Sequence, residues 1–301
     1  MTTPKLSVAV VGPGAIGGTV ATWLAHSPGV SELILCARTP LDRLVVECPD
    51  GTLVEAEPRV VTDPGQITAP VDWVLVATKA YDVAAAALWL KPLLGPNTRV
   101  AVLQNGVDHI DRFAPYVPVE RILPVIVELP AERTAPGRIR QRRKGDLAVP
   151  AGEAGEEFVA LFAGSLIDGA TTEDFLTAAW TKLCLNCAGA VNALTGQPGG
   201  VVRAEGMADL MRTLVWECVH VGRAVGADLG DHLPDWVVGR ATTSPADSVN
   251  SLLGDRLAGR PMEWDARNGV IVRLGKRHGI ETPANAMAST LLSAVYWSAD
   301  A

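Results

Sequence analysis

The stretch Ser7-Val-Ala-Val-Val11 runs directly into Gly12-Pro-Gly14-Ala-Ile-Gly17-Gly18, and this junction decides the fold of the N-terminal half. The first five residues have strand character, and the turn opens an apolar, helix-compatible segment that ends near His26. Its glycines stand where dinucleotide-binding turns need them, for the tight turn, for the approach of a pyrophosphate and for close packing of helix on strand. The helix N-terminus offers free N–H groups to phosphates. The alternative is a plain strand–turn–helix of another α/β fold.

The composition is that of a globular protein with room for two domains and a large core. The 301 residues are 48 % apolar and 20 % charged. Because the formal net charge is −7, the chain as a whole does not attract nucleic acid or an anionic membrane. An anionic ligand must therefore be met by local positive groups.

The five cysteines are an odd number and show no paired framework. Cys184 and Cys187 form a CxxC without a second pair or a histidine cluster, so we interpret them as core thiols rather than as a redox or zinc site. We expect no metal site. We find no pattern of a secretory signal and no apolar run of membrane-spanning length. These features predict a cytoplasmic protein without a membrane or nucleic-acid partner.

The second predicted parallel strand, Glu32–Arg38, ends in an arginine. Enzymes that bind NAD commonly have an acidic residue at this place, where it holds the ribose 2′-hydroxyl. A guanidinium instead pairs with a 2′-phosphate, and no carboxylate is present to repel that group. Arg38 therefore favours NADP, and the alternative is a solvated arginine in a loop.

Two further predicted strands are followed by polar residues. Lys79 follows the apolar run Asp72–Thr78, and Asn105 comes shortly after Arg99–Leu103. Open α/β sheets bind ligands at the carboxyl ends of their strands, so both positions indicate function. The alternative is that Lys79 and the Asn105-Gly106 pair are simple turn residues.

The remainder of this half predicts further strands. Leu44–Val61 reads as a hairpin around Pro49-Asp-Gly51 followed by a third strand, and Ile122–Glu128 as another strand. Arg133–Pro150 has the alternation of antiparallel strands and carries a basic run. We interpret this run as a solvated strand face, since no aromatic residues are interleaved with it. Its members are Arg138, Arg140, Arg142, Arg143 and Lys144.

From about Thr171 the periodicity becomes helical, and no strand pattern interrupts it. We divide the chain into a doubly wound α/β domain, residues 1–170, and an all-helical domain, residues 171–301, with the crevice between them as the expected ligand site. The predicted helices are Phe175–Leu194, Val202–Gly226, His232–Thr242, Asp247–Leu257, Met262–His278 and a last one from Pro283 to about Ser298.

Lys182 is unusual because it interrupts an apolar helix. It stands four residues before Asn186, so the two side chains share a helix face. Buried near a ligand, a lysine has a lowered pKa and gives up a proton near neutral pH. The alternative is a lysine that extends to the surface.

Several segments along the chain, taken together and in their order, form a recognisable pattern. They are Gly12-x-Gly14-Ala-Ile-Gly17, Thr78-Lys79-Ala80, Gln104-Asn105-Gly106, Trp180-x-Lys182-Leu183-x-x-Asn186, Ser251, Glu263-x-Asp265-x-x-Asn268-Gly269 and Gly279-x-x-Thr282-Pro283-x-Asn285. Together they resemble the ketopantoate reductase family over nearly the whole chain. The glycine-rich turn is shared with many dehydrogenases, whereas the segments around Lys182 and Glu263 are much more specific.

The resemblance implies an α/β Rossmann-type doubly wound N-terminal domain plus an all-helical C-terminal domain. It implies NADPH-dependent reduction of 2-dehydropantoate to pantoate, with formation of NADP+. The implied catalytic residues are Lys182 as proton donor to the carbonyl oxygen, Asn105 and Glu263. The implied cofactor-binding residues are Gly12, Pro13, Gly14, Ala15, Ile16, Gly17, Arg38, Lys79, Asn105 and Glu263. The implied substrate-binding residues are Asn105, Asn186, Asn192 and Ser251.

The chain departs from the family pattern at one place. The family usually has a second asparagine four residues after Asn186, and here that position is Ala190. Either Asn192 takes over the role or the polar contact is missing. Without that contact, the pocket would discriminate poorly for the substrate group that the asparagine would have held. The departure therefore concerns the identity of the substrate, 2-dehydropantoate, more than the reduction of a ketone.

We therefore hypothesise an NADPH-dependent reductase of a 2-oxo acid. Two alternatives are a related reductase of a different ketone or imine, and an NADP(H)-sensing protein without turnover. The combination of Lys182, Asn105 and Glu263 argues against a sensor, which needs none of them. Tryptophans such as Trp216, Trp236 and Trp297 suit either a core or an interface, which leaves a homodimer open.

Overall fold

The computed structural model describes residues 5–296, and the chain forms two compact units. The first unit runs to Gln104 and continues over His109–Phe175. The second unit comprises Asn105–Asp108 and the chain from Leu176 onward. The backbone thus enters the second unit at Asn105–Asp108, returns to the first unit, and passes into the second unit again after Phe175.

The first unit is built on a parallel sheet, as the apolar runs predict, and this sheet has six strands. Its strands are β1 (Leu6–Val11), β2 (Val30–Cys36), β5 (Arg59–Val61), β6 (Trp73–Val76), β7 (Arg99–Val102) and β8 (Ile122–Pro124). They lie in the order β5-β2-β1-β6-β7-β8, and every neighbouring pair is parallel. This order reverses direction at β1, which is the switch point of a doubly wound sheet.

Helices cover both faces of this sheet. Val8 and Val10 of β1 belong to one buried cluster, together with residues of α1 (Ala15–Ala25). Ala9 and Val11 belong to a second cluster, together with residues of α2 (Val83–Leu93). The alternation along β1 therefore separates two apolar layers. A short helix, α3 (His109–Phe113), follows β7.

Two smaller sheets and one helix complete the first unit. One sheet has the order β10-β11-β3-β4 and the other the order β13-β12-β9. The elements are β3 (Leu44–Glu47), β4 (Leu53–Ala56), β9 (Ile126–Glu128), β10 (Ala131–Ala135), β11 (Arg138–Gln141), β12 (Gly145–Pro150), α4 (Glu153–Ala160) and β13 (Ile167–Thr172).

The structure refines the strand predictions in this region. The predicted hairpin is β3 and β4, and β10 and β11 are antiparallel as expected. Ile122–Glu128 is two strands rather than one, because the chain passes from the main sheet to the three-stranded sheet at Val125. Members of the basic run form ion pairs on the strand surface, for example Arg140 with Glu47 at 3.1 Å and Lys144 with Asp168 at 2.8 Å.

The second unit is helical, in agreement with the prediction. Its elements are α5 (Phe175–Ala188), α6 (Ala190–Thr195), α7 (Met207–Val225), α8 (Leu233–Thr243), α9 (Ser251–Leu257), a π-helical turn (Asp265–Gly269), α10 (Val270–His278) and α11 (Pro283–Ser293). Trp236 is exposed and Trp216 half-buried, whereas Trp297 and Ser298 lie outside the described residues. No helix within residues 5–296 is both long enough and apolar enough to cross a bilayer.

The predicted helix Phe175–Leu194 is interrupted, and Gly189 explains the interruption. The side-chain amide of Asn250 donates to the Gly189 carbonyl at 3.1 Å, and a Cβ on Gly189 would lie 3.0 Å from that amide nitrogen. Asn250 also caps α9 by accepting from the Leu253 N–H at 2.9 Å. The break therefore fixes the start of α9 against the end of α5.

A buried carboxylate fixes the last helix. Glu217 of α7 accepts from the backbone N–H groups of Ala284 and Asn285 at 2.8 and 2.9 Å, and from the Asn285 side chain at 2.8 Å. The side chain thus satisfies donors that the first turn of α11 leaves unpaired. Asn285 in turn accepts from the side chain of Asn268 at 2.9 Å, which connects this network to the π-helical turn.

Candidate active site

The glycine-rich turn has the backbone shape that a bound pyrophosphate needs. Gly12 adopts a φ of +92°, which side chains rarely tolerate. A Cβ on Gly17 would lie 2.1 Å from the carbonyl oxygen of Gly12, so this glycine allows α1 to pack against the turn. A Cβ on Gly14 would meet nothing within 4 Å, so the space beside the start of α1 is open. The turn therefore fits a dinucleotide by its backbone and by its open side.

The predicted cofactor residues beyond the turn lie at the ends of β2 and β6. Arg38 is exposed just after β2 and forms no hydrogen bond or ion pair with any described residue. Lys79 is half-buried after β6, and its carbonyl oxygen accepts from the Gln104 side chain at 3.3 Å. The same Gln104 amide donates to the Thr78 hydroxyl at 3.0 Å, which joins the ends of β6 and β7.

In the second unit, three predicted site residues form one hydrogen-bonded group. The Asn105 side chain donates through Nδ2 to Oε2 of Glu263 at 3.0 Å. Its Oδ1 accepts from Nδ2 of Asn186 at 3.5 Å, a long contact. Glu263 is 5 % exposed, so this carboxylate lies in the interior. These bonds orient the Asn105 amide from both sides.

Lys182 belongs to the same helix as Asn186, one turn earlier on α5. The residue is half-buried, as is Asn186. Their spacing places both side chains on one face of α5, as the sequence predicts. Its role as proton donor stays a prediction at this point.

Ion pairs hold the segment that carries Asn105 within the second unit. Arg273 of α10 contacts Asp108 at 3.1 Å and also pairs with Asp265 at the start of the π-helical turn. The segment Asn105–Asp108 is therefore connected to the stretch that follows Glu263.

Ser251, a predicted substrate residue, is accompanied by an arginine that the sequence motifs do not single out. Ser251 is exposed at the start of α9, and its hydroxyl accepts from Nη2 of Arg267 at 2.7 Å. Arg267 itself is buried on the π-helical turn. In the sequence, Arg267 is a charged residue between Ala266 and Asn268, one turn after Glu263. This is the only sequence signal for it, and the surrounding pattern predicts a regular helix.

Asn192, the other predicted substrate residue, has partners within the fold. Its Nδ2 donates to the Gln197 carbonyl at 3.2 Å, and its Oδ1 accepts from the Asn250 amide at 3.2 Å. It is 7 % exposed, and Ala190 is fully buried. Asn192 therefore stabilises the end of α6, and its contact with substrate stays a prediction.

The cysteines are buried as free thiols, which agrees with the core interpretation. Sγ of Cys184 lies 3.6 Å from Sγ of Cys218, between α5 and α7. Burial raises the pKa of Cys187 and of Cys218, and it raises the pKa of Cys36 to about 12. These groups therefore stay protonated, and poorly nucleophilic, at neutral pH.

Two family models match the chain along most of its length. The model described as ketopantoate reductase PanE/ApbA matches residues 8–154, and the model of the ketopantoate reductase PanE/ApbA C terminal matches residues 174–296.

Relatives and solved structures give the same result. The 2-dehydropantoate 2-reductase of Caulobacter vibrioides is 57 % identical, with 96 % of this chain and 98 % of that protein covered. The 2-dehydropantoate 2-reductase of Mycobacterium tuberculosis is 41 % identical, with 95 % and 97 % covered. The crystal structure of a PanE/ApbA family ketopantoate reductase from Ralstonia eutropha has a TM-score of 0.85 at 32 % identity, with 96 % and 98 % covered. The predicted resemblance is confirmed: the chain belongs to the ketopantoate reductase family.

Proposed function

We propose that this chain is an oxidoreductase that reduces 2-dehydropantoate to pantoate with NADPH. The observation that carries the proposal is the 57 % identity to the Caulobacter 2-dehydropantoate 2-reductase over 96 % of the chain. The hydrogen-bonded group of Asn105, Asn186 and Glu263 supports it, because polar side chains that orient a substrate carbonyl need fixed positions of their own.

The first unit provides the groups that would hold the cofactor. The backbone from Gly12 to Gly17 and the start of α1 would face the pyrophosphate, since Gly14 leaves that side open. Arg38 would pair with the 2′-phosphate, and Lys79 lies after β6, the strand next to β1 in the sheet. When bound, NADPH supplies a hydride to the carbonyl carbon of the substrate.

Lys182 supplies the proton in this proposal. As the new C–H bond forms, the carbonyl π electrons move to oxygen, and the oxygen becomes negative. The ammonium group of Lys182 stabilises that charge and then transfers a proton to the oxygen, so that an N–H bond breaks and the O–H bond of the alcohol forms. Lys182 is left neutral and regains its proton from water.

Asn105 and Glu263 have orienting roles in the proposal. The Asn105 amide is held by Glu263 on one side and by Asn186 on the other, so it presents a fixed dipole. Preorganised dipoles stabilise developing charge without reorganisation during the reaction. The negative charge of Glu263 favours the protonated form of a neighbouring amine, which would suit a lysine that acts as an acid.

The Arg38 guanidinium is expected to set the preference for NADPH over NADH. Replacing Arg38 with alanine should raise the KM for NADPH by about 10- to 100-fold, because one charge-assisted contact with the 2′-phosphate is lost. The KM for NADH should change by less than about threefold, since NADH has no phosphate there. Steady-state kinetics with both cofactors measure this, and Arg43→Ala, an exposed arginine paired with Glu55, is the control. Equal rises in both KM values would contradict the assignment.

A panel of carbonyl compounds tests the proposed reaction. The purified chain is incubated with NADPH and 2-dehydropantoate, with other 2-oxo acids, or with ketones and imines, and NADPH consumption is followed. We expect the highest kcat/KM with 2-dehydropantoate. A higher value with another ketone or an imine would replace the proposed substrate. NADPH binding without oxidation by any compound would favour the sensor and overturn the proposal.

We further propose a homodimer in the cytoplasm. One solved structure with the same fold, at 23 % identity, is that of a dimeric ketopantoate reductase from Staphylococcus aureus. The five buried free thiols suit a reducing compartment. Light scattering of the purified chain tests the dimer, and a monomer mass would contradict it.

A further inference from the structure

Arg267 is a buried cation without a carboxylate partner in contact. It is 3 % exposed, and it forms no ion pair with any residue of the described range 5–296. Buried charges in proteins are normally paired, because an isolated charge in the interior is costly. This guanidinium therefore needs an explanation beyond stability.

Nearby carboxylates have other partners. Burial lowers the pKa of Arg267, whereas the charges of Glu263 and Asp255 raise it. However, Oε2 of Glu263 accepts from Asn105, and Oδ1 of Asp255 accepts from Arg260 at 3.0 Å. Arginine keeps its charge in proteins, so the interior holds a cation whose neighbours attract it only from a distance.

The bond from Arg267 determines how the Ser251 hydroxyl is used. Nη2 of Arg267 donates to Oγ of Ser251 at 2.7 Å. Because that oxygen accepts from a cation, the hydroxyl hydrogen points elsewhere and becomes a stronger donor. Ser251 as a residue is exposed, so a ligand can reach it from solvent. Nε of Arg267 has no hydrogen-bond partner among the described residues.

The backbone holds Arg267 in this position. The carbonyl of Trp264 accepts from the N–H groups of Arg267, Asn268 and Gly269 at 3.2, 3.0 and 3.1 Å, which forms the π-helical turn. The Asn268 side chain donates to the Cys187 carbonyl at 3.1 Å and so anchors the next residue. Such turns are frequent at functional sites, where they shift one side chain out of the regular helical pattern.

We propose that Arg267 positions Ser251 as a hydrogen-bond donor to the substrate carboxylate and supplies the positive charge that attracts it. The inference rests on the proposed function, because 2-dehydropantoate is a 2-oxo acid. Arg267 would thus be a positioning residue that contributes to substrate specificity through Ser251. Together the two residues would recognise the carboxylate without a polar side chain at position 190, where the chain has the buried Ala190.

The test compares an acid with an uncharged analogue. KM and kcat are measured for 2-dehydropantoate and for its freshly dissolved lactone, which keeps the ketone and lacks the carboxylate. Arg267→Met should raise the KM for the acid by about 10- to 100-fold, with kcat and the KM for the lactone within about threefold of wild type. Arg267→Lys should recover part of the loss, because it restores the charge without the planar fork. Arg240→Met, an exposed arginine on α8, is the matched control and should change neither KM.

A second pair of variants tests the route through Ser251. Ser251→Ala should raise the KM for the acid. In the Ser251→Ala background, Arg267→Met should raise that KM by a smaller factor than it does in the wild-type background. Equal rises for acid and lactone, or a fall in kcat alone, would overturn the inference. If Arg267→Met does not fold, Arg267→Lys and Ser251→Ala decide the question by the same acid-to-lactone comparison. If the wild type is active and the Arg267 variants change the KM for acid and lactone by the same factor, only this inference is overturned. If the wild type reduces no 2-oxo acid, the proposed function is overturned as well.

Discussion

Replacing Lys182 with alanine should lower kcat for 2-dehydropantoate by about 10²- to 10⁴-fold, the range expected for loss of a general acid. The ammonium group is the proposed source of both the proton and the charge that stabilises the new alkoxide. Because the predicted cofactor residues, except Asn105 and Glu263, lie in the first unit and Lys182 lies in the second, NADPH affinity should change by less than about threefold.

Two measurements on the same preparation check this expectation. Turnover is followed by NADPH consumption at saturating substrate, and NADPH affinity by the fluorescence of the bound cofactor. Lys276→Ala removes an exposed lysine near the end of α10 and should leave both values unchanged. Lys182→Arg keeps a cation with a much higher pKa, so it should bind NADPH normally and remain slow. Unchanged turnover of Lys182→Ala would exclude this lysine as the acid.

Gly17→Ala is expected to have the largest effect on stability and on cofactor binding together. The new Cβ would lie 2.1 Å from the Gly12 carbonyl oxygen and 3.0 Å from the Cβ of Ala77. Neither atom is the end of a flexible side chain, so the turn and α1 must separate. Overpacking of this kind costs about 3 kcal/mol or more, which corresponds to a fall in Tm of roughly 5–10 °C.

Gly14→Ala separates cofactor binding from folding. Gly14 has a φ of −75°, which alanine adopts without strain, and its Cβ would meet nothing within 4 Å. The Tm should therefore stay within about 1–2 °C of wild type. The methyl group would point into the space proposed for the pyrophosphate, so NADPH affinity should fall by at least about tenfold. Thermal unfolding with and without NADPH measures both variants, and normal NADPH affinity in Gly14→Ala would contradict the proposed path of the cofactor.

The sequence predicts those parts of the fold that depend on local pattern. The buried strands around Val10 and Leu75 are continuous apolar runs, and the turn at Gly12–Gly17 has a spacing that few other structures require. The 3.6-residue periodicity of the C-terminal half predicts that this half is built of helices. The family resemblance implies functional roles for Lys182, Asn105 and Glu263, and in the structure Asn105 donates a hydrogen bond to Glu263.

The features that the sequence does not predict depend on partners far away in the chain. The break at Gly189 exists because the Asn250 amide reaches its carbonyl, and the start of α11 is fixed by Glu217. The π-helical turn has no periodic signal, so by its pattern Arg267 is one more polar residue of a helix. Its bond to Ser251 becomes visible only when the start of α9 is placed beside the turn.

The path of the backbone constrains how this protein can be divided. The peptide chain crosses between the units after Gln104, after Asp108 and after Phe175. A fragment that ends at Phe175 would keep Asn105 and lose both Asn186 and Glu263, so no single cut separates two intact modules. A chimera can combine the first unit of one family member with the second unit of another. Such a chimera must take the tetrapeptide Asn105–Asp108 from the parent that supplies the second unit.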